Sequence, residues 1–391
     1  MNEHLKKIPK ALAQIRIAIV RNSYIWGTTE ELLDYLKGKA KEIIVIKHPF
    51  YESKEVFSRV LVINKNSSKV SNLKPRLHST ILDYFLDFVS SLWYALIHGR
   101  FDVFIGADPL NSLVGLVLRK LGLATSVIYY AVDYSPKRFE SELVNWIYHY
   151  IEALCAVKCD YTWNLSTRYV EARESKLRRL GFQKRGNQVL VRIPVHESRV
   201  RDFTEIKHHG VIFSGSLRKE AGLDLILQAV RIVGPQIPDL EVAIAGEGSI
   251  KEELTLQVIN QRLERYIKIS DYIPSRQKFI DFLSSYAVGL AIYDPSRDSY
   301  TAYADVSKVK NYLACGLPVI LSRHSYNAKE VEQYNAGILV DFDSADIARA
   351  IHELLDNQQC YLKYRQNALN LSKEFNSEKI FSEAFEQILN P

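Results

Sequence analysis

The stretch DVSKVKNYLACGLPVILS, residues 305–322, decides how this chain folds. Its apolar spacing predicts a helix over 307–314. Ala314, Cys315 and Gly316 are small enough to let that helix pack closely on a sheet. Gly316 fits a left-handed C-terminal cap, and Pro318 stops any continuation. A β-branched strand follows at once over 319–321. Helix and strand joined this tightly are a unit of a doubly wound α/β sheet. The helix start, at Val306, Ser307 and Lys308, offers backbone N–H groups with no intrahelical partner, which suits an anion. Lys308 and Asn311 stand three residues apart, close together on the helix surface.

Outward from this stretch the same rhythm runs through the chain. Strands are expected at 16–20, 42–46, 60–63, 103–105, 126–130 and 161–164, then at 211–214, 241–245, 267–270, 288–293, 319–321 and 337–340. Helical patterns fall at 30–37, 80–97, 112–121 and 140–157, then at 222–233, 250–258, 276–284, 307–314, 329–334 and 345–356. Such alternation predicts parallel sheets with helices on both faces. The polar, aperiodic segment HESRVRDFTEIKHHG, 196–210, reads as a linker. The expectation is therefore two doubly wound, Rossmann-like domains, 1–200 and 201–375, facing a cleft. A closing helix over 376–391 would cross back to the first domain. Ligands of such sheets sit beyond the carboxyl ends of the strands.

Several turns lie at those ends. VIFSGSLRKEAGLDLILQA (211–229) runs from a strand through Gly215, Ser216 and Leu217 to a helix opened by Gly222, with Arg218 and Lys219 adding positive charge. EVAIAGEGSIKEEL (241–254) repeats the plan with Gly246, Glu247 and Gly248. In KISDYIP (268–274), Tyr272 and Ile273 are placed to stack on and hydrogen-bond a base, or else to cover the sheet edge. Each turn taken alone equally fits a plain strand–turn–helix. In the first half, Gly27 and Thr28 follow the first strand. Asp108 precedes Pro109 as a helix-capping or acceptor-binding residue. YYAVDYSPKRF (129–139) offers Asp133 as a base or a turn residue, with Tyr134 and Arg138 beside it.

Taken in order, GSL…GLDLILQA, AGEG, DYIP, SKVKNYLACGLPVI and NAGILV make residues 211–391 resemble the nucleotide-sugar domain of a GT-B glycosyltransferase, most similar to glycosyltransferase family 4. The resemblance implies a hexosyltransferase-type enzyme that retains anomeric configuration and uses no metal or other cofactor. It implies a donor site at Gly215, Ser216, Arg218, Lys219, Gly246, Glu247, Tyr272, Ile273, Val306, Ser307, Lys308 and Asn311. Gly27, Thr28, Asp108, Tyr134 and Arg138 would form the acceptor side, with Asp133 and Lys308 as the catalytic groups. The chain departs from the family pattern at Ser216, Ala221, Val132 and Asn311, where the family carries Arg, Lys, His and an acid. Those departures sustain an alternative, a catalytically degenerate GT-B subunit acting as a binding partner. A sugar-nucleotide epimerase on the same fold is a third reading.

Composition bounds the partners. The 391 residues hold 51 Lys and Arg against 45 Asp and Glu, a net charge of +6, too weak to imply nucleic-acid binding. The four cysteines, Cys155, Cys159, Cys315 and Cys360, follow no zinc-ligand spacing and read as reduced thiols of a cytoplasmic protein. His196, His208 and His209 fit no metal pattern either. No secretory leader is apparent, and the apolar runs 81–97 and 110–123 contain charges, so they read as buried or half-buried helices rather than spans. The basic stretch with Arg168, Arg173, Lys176, Arg178, Arg179, Lys184 and Arg185, and the start with Lys6, Lys7 and Lys10, fit a solvated face or peripheral contact with an anionic membrane. The partners expected are a UDP- or GDP-sugar donor and a glycan or lipid-linked acceptor.

Overall fold

The computed structural model describes residues 8–23, 27–49, 55–65, 67–77, 80–182, 186–195, 197–297 and 301–389. The chain divides into two compact units, Met1–Arg192 with Ser377–Pro391, and Ile193–Asn376. The first crossing thus precedes the polar segment expected to join the domains.

The first unit contains β1 (Arg16–Ser23), β2 (Glu42–Pro49), β3 (Phe57–Asn64), β4 (Ser67–Pro75), β5 (Phe101–Ala107), β6 (Ala124–Ala131), β7 (Tyr161–Asn164) and β8 (Asn187–Leu190). Among the described residues they form one sheet, ordered β4-β3-β2-β1-β5-β6-β7-β8. From β2 to β8 neighbouring strands are parallel. The near-continuous apolar runs explain this: Ile17 to Val20 and Val103 to Ile105 are buried, as strands covered on both faces must be. The expectation of a purely parallel sheet fails at one edge, where β3 and β4 are antiparallel. Only two residues separate Asn64 from Ser67, far too few for the crossover that a parallel pair needs.

The helix Ser377–Leu389 belongs to this first unit. Ser382 Oγ lies 3.0 Å from the Tyr35 hydroxyl, and the Phe385 ring meets Trp163 edge-on at 5.3 Å. The basic helix Thr167–Arg179 is not simply a solvated face. Arg173 is buried, donating to Glu152 at 3.2 Å and Asn164 at 2.9 Å. Lys176 donates to the Pro136 carbonyl at 3.1 Å. Arg178 and Arg179 are exposed, as is Lys10; Lys6, Lys7, Lys184, Arg185 and His196 lie outside the described residues.

The second unit contains β9 (Gly210–Ser214), β10 (Glu241–Ala245), β11 (Ile267–Ser270), β12 (Val288–Ala291), β13 (Val319–Ser322) and β14 (Gly337–Val340), all parallel, in the order β11-β10-β9-β12-β13-β14. In each unit the winding reverses beside the first strand, between β1 and β5 and between β9 and β12. That reversal opens a crevice at the carboxyl ends of the strands, where doubly wound sheets bind ligands.

A buried ion pair fixes the helix Ser307–Ala314 beside the second crevice. Lys310 and Asp305 are fully buried and bonded to each other. Asp305 also accepts from the Ile193 amide at 2.9 Å and from Asn327 Nδ2 at 2.8 Å, and Lys310 donates to the Ile193 carbonyl at 2.7 Å. Losing one partner strands the other charge in the interior. Asp305→Ala should therefore cost about 3–5 kcal/mol. Adding Lys310→Met should recover part of that loss, as read from urea unfolding curves of the three proteins.

Candidate functional site

In the second unit, the loops after β9 and β10 interlock through their backbones. Gly215 donates to the Ala245 carbonyl at 3.0 Å, Leu217 to Glu247 at 2.9 Å and Gly246 to Ser270 at 3.1 Å. A Cβ on Gly246 would lie 1.9 Å from the Gly215 oxygen, and one on Gly248 would lie 2.1 Å from the Leu217 oxygen. These glycines thus let two main chains touch. The Gly215, Leu217 and Gly246 amides are thus engaged within the protein and are not presented to a ligand.

What stands at the crevice instead is the start of the helix Ser307–Ala314. No side chain caps it, and its first amides have no partner within the helix. The Lys308 amine lies 4.0 Å from the centre of the Phe213 ring and 5.4 Å from that of Tyr293. A Cβ on Gly215, whose φ is +138°, would be 2.9 Å from that amine, so the glycine makes room for it. Lys308 has no ion-pair partner among the described residues, and burial pushes its pKa down to about 7. An amine poised this way gains most from an incoming anion.

The other residues expected at a donor site follow the carboxyl ends of β9, β10 and β11 or lie in the first turns of the helix Ser307–Ala314. Ser216, Arg218 and Lys219 are exposed, and neither cation has an ion-pair partner among the described residues. Glu247 bonds Lys251 at 2.8 Å, and Lys251 also holds Asp271, which brings Tyr272 and Ile273 alongside the β10 turn. Tyr272 is exposed and Ile273 half-buried; Val306 is buried, its amide bound to Asn327 Oδ1 at 2.8 Å. Asn311 is half-buried, one turn after Lys308.

Sequence reasoning missed the supports. The Tyr312 hydroxyl accepts from the Ser214 amide at 2.8 Å and lies 2.9 Å from Ser214 Oγ, tying β9 to this helix. A Cβ on Gly289 would strike the Tyr312 ring at 2.3 Å. Tyr312 is buried, so its spacing looked like ordinary core, and nothing local marked Phe213 or Tyr293 as the walls around the amine.

In the first unit, the carboxyl ends of β1, β5 and β6 gather a second polar cluster. Asp108, at a φ of +92°, caps the helix Pro109–Lys120 by accepting from the Asn111 amide at 3.1 Å. Burial pushes its pKa up to about 6 against the pull of Arg138. Arg138 Nη1 lies 2.9 Å from both Asp133 oxygens and its guanidinium 5.1 Å from the centre of the Tyr148 ring. Asp133 is thus held in an ion pair. Tyr134 is buried, with the Lys176 amine 5.2 Å from its ring centre. Burial pushes Tyr84 up to about 12, and it feels the charges of Asp108, Arg138 and Asp133. Gly27 precedes the helix Thr28–Leu36 with extended backbone, and Thr28 is buried as its first residue. Asn111 Nδ2 donates to Asn22 Oδ1 at 2.8 Å, joining the end of β1 to this cluster.

Residues 201–371 match the family model for glycosyl transferases group 1. The solved structures show that the chain has the GT-B fold. Sucrose-phosphate synthase from Thermosynechococcus elongatus aligns with a TM-score of 0.69 at 15% identity, covering 96% of this chain and 98% of that one. Anabaena HepE in complex with UDP aligns at 0.68 and 12% identity, covering 96% and 100%. The pneumococcal O-GlcNAc transferase GtfA, in complex with UDP and GlcNAc, aligns at 0.60 and 16% identity over 84% of this chain, which spans only 62% of that protein's length. No curated protein matches the chain by sequence. Among the described residues, no helix is long and apolar enough to cross a membrane, and no group of three His, Cys, Asp or Glu side chains is placed to hold a metal.

The Lys308 pKa of about 7 carries a test. Unfolding returns the amine to its ordinary value near 10.5, so between those values the unfolded chain binds the extra proton and stability rises with pH. The wild-type protein should gain up to about 1 kcal/mol per pH unit over Lys308→Met across that window. Urea midpoints measured at pH 7, 8 and 9 read the slope; parallel slopes for the two proteins would refute it.

Proposed function

We propose that this chain transfers a sugar from a UDP- or GDP-linked donor to a hydroxyl of a glycan or lipid-linked acceptor, in polysaccharide or glycolipid assembly. The observation that carries the reading is the Lys308 amine, without an ionic partner among the described residues, at an uncapped helix start beside the strand-order reversal. The group 1 match over residues 201–371 and the nucleotide-bound structures of similar fold support it.

The chemistry follows from the charge that develops. As the glycosidic bond to the donor phosphate breaks, negative charge builds on the diphosphate. Lys308 and the amides of Ser307 and Lys308 face that charge, and Arg218 and Lys219 add mobile cations from the β9 loop. Protein groups thereby do the neutralising that other transferases assign to a metal. Tyr272 and Ile273 would flank the base, and Asn311 would hydrogen-bond ribose or sugar hydroxyls. On the first unit, Asp108 and the Asp133–Arg138 pair would orient the acceptor hydroxyl, with Asp133 taking its proton once the acceptor loosens the pair. Retention of anomeric configuration and the family 4 affiliation belong to this same reading. The degenerate-subunit reading is favoured by one observation, that Arg138 engages both oxygens of Asp133.

Calorimetry against UDP, GDP and their sugars, followed by transfer assays with those that bind, separates the two. The transferase reading expects binding, and Lys308→Ala should weaken it by about 1.5–3 kcal/mol. Because the bound diphosphate raises the Lys308 pKa, binding at pH 8 should take up protons, seen as a heat that varies with the buffer's ionisation enthalpy. Binding with sugar transfer to no acceptor would favour the partner role, and no binding by any nucleotide would overturn both donor-site and transferase assignments.

A further inference from the structure

The helix Thr80–His98 turns its polar side inward and its apolar side outward. Ile81, Phe85, Val89, Trp93 and Ile97, each four residues apart, are 72%, 62%, 42%, 65% and 59% exposed. At 1.5 Å per residue the stripe runs for about 24 Å. Its two acids face the protein and are matched there: Lys74 reaches Asp87 at 2.7 Å, and Arg76 reaches Asp83 at 3.5 Å. His48, fully buried, binds Ser91 of the same helix at 2.7 Å. The helix is therefore anchored by its polar face. The run 81–97 is half-buried, as its sequence reads, but the residues it leaves open are apolar ones. Contiguous apolar surface of this kind marks an interaction face.

We propose that this helix lies in the interface of an anionic lipid bilayer, with the Ile81-to-Ile97 stripe inserted among the lipids. Charge selects the occupant. Between Glu55 and Asp83 the chain carries Arg59, Lys65, Lys69, Lys74 and Arg76 and no acid. Lys74 and Arg76 neutralise the helix acids, while Arg59, Lys65 and Lys69 are exposed. The hairpin joins the helix directly: the Arg76 amide donates to the Val56 carbonyl at 2.8 Å and the Leu77 amide to Asp83 at 2.9 Å, with Val56 and Leu77 both exposed. Exposed Lys65 and Lys69 on the hairpin that leads into this helix, together with an apolar stripe carrying an outward tryptophan, suit anionic headgroups over acyl chains. A second copy of the chain, docked symmetrically, would instead oppose like charges.

The inserted face also adjoins the acceptor-side cluster. Tyr84, one residue before Phe85, packs edge-on against Phe139 at 6.5 Å and feels the charges of Asp108, Arg138 and Asp133. A bilayer bound here would bring a lipid-linked hydroxyl to that cluster from the membrane side. The membrane contact itself does not depend on the transferase reading.

The test is co-sedimentation of the full chain with vesicles of phosphatidylcholine and phosphatidylglycerol, against phosphatidylcholine alone. The mixed vesicles should bind the protein, and Phe85→Glu with Trp93→Glu should weaken that binding by at least about tenfold. Lys65→Glu with Lys69→Glu should weaken it several-fold and flatten its dependence on salt. All four positions are exposed, so melting temperatures should stay near wild type, and UDP binding measured on the same variants reports separately on the donor site. Unchanged sedimentation of the Phe85/Trp93 variant would overturn the proposal. So would a dimer that this variant converts to monomer in the ultracentrifuge, with no vesicle binding by the wild type. Quenching by brominated lipid that persists in Trp93→Phe but vanishes in Trp146→Phe would move the contact to the helix Glu142–Lys158 and equally refute it.

Discussion

The bond between Asp305 and Lys310 sets the geometry of the second unit. It lies at the base of the helix Ser307–Ala314, and its spare valences reach the Ile193 backbone and the Asn327 amide. A buried ion pair contributes little net stability once desolvation is counted, but its strict geometry makes misplacement costly. Here it sets the rotation and height of one short helix. Lys308, two residues earlier, therefore points at Gly215 rather than into solvent. The uncapped amides of the same helix face the same way. As the proposed binding group, Lys308 on a helix held so firmly would need no reorganisation when its ligand arrives.

The glycines of the second unit do a different job from the one their motif suggests. Gly215 vacates space for an amine, Gly246 and Gly248 let two loops meet main chain to main chain, and Gly289 admits the Tyr312 ring. Only the first of these touches the candidate ligand position directly. The rest hold the edges of the crevice in register. A turn rich in glycine is therefore compatible with a rigid frame whose amides are largely consumed within the protein, leaving recognition to side chains and one helix start.

Much of this fold was legible because central parallel strands are buried on both faces and read as unbroken β-branched runs. Glu241–Ala245, Ile267–Ser270 and Gly337–Val340 begin and end where the pattern places them. The failures have a common cause. β4 is SSKVSNLKP, exposed along most of its length, so no burial pattern disciplines its sequence. The helix Gln358–Ser372 spreads its buried residues, Tyr361, Arg365, Ala368 and Leu371, among polar ones and includes an arginine in its inner face. At the candidate site, the strand-end residues were visible from spacing alone. Their partners were not: Asp305, Tyr312 and Phe213 act through contacts that only the folded sheet creates. Asp133 was visible as a carboxylate, while its capture by Arg138 arises only in the folded loop.

The placement of the helix Ser377–Leu389 governs the order in which the protein can be assembled. This segment buries Phe381 and Phe385 against the first unit, beside Tyr35 and Trp163. Yet the ribosome makes it only after all of Ile193–Asn376 has been polymerised. The nascent first unit must wait with an open apolar seam while the second unit is synthesised. The earlier-born half is thus the later to be finished, and that interval is when a chaperone or a wrong neighbour has its best opportunity.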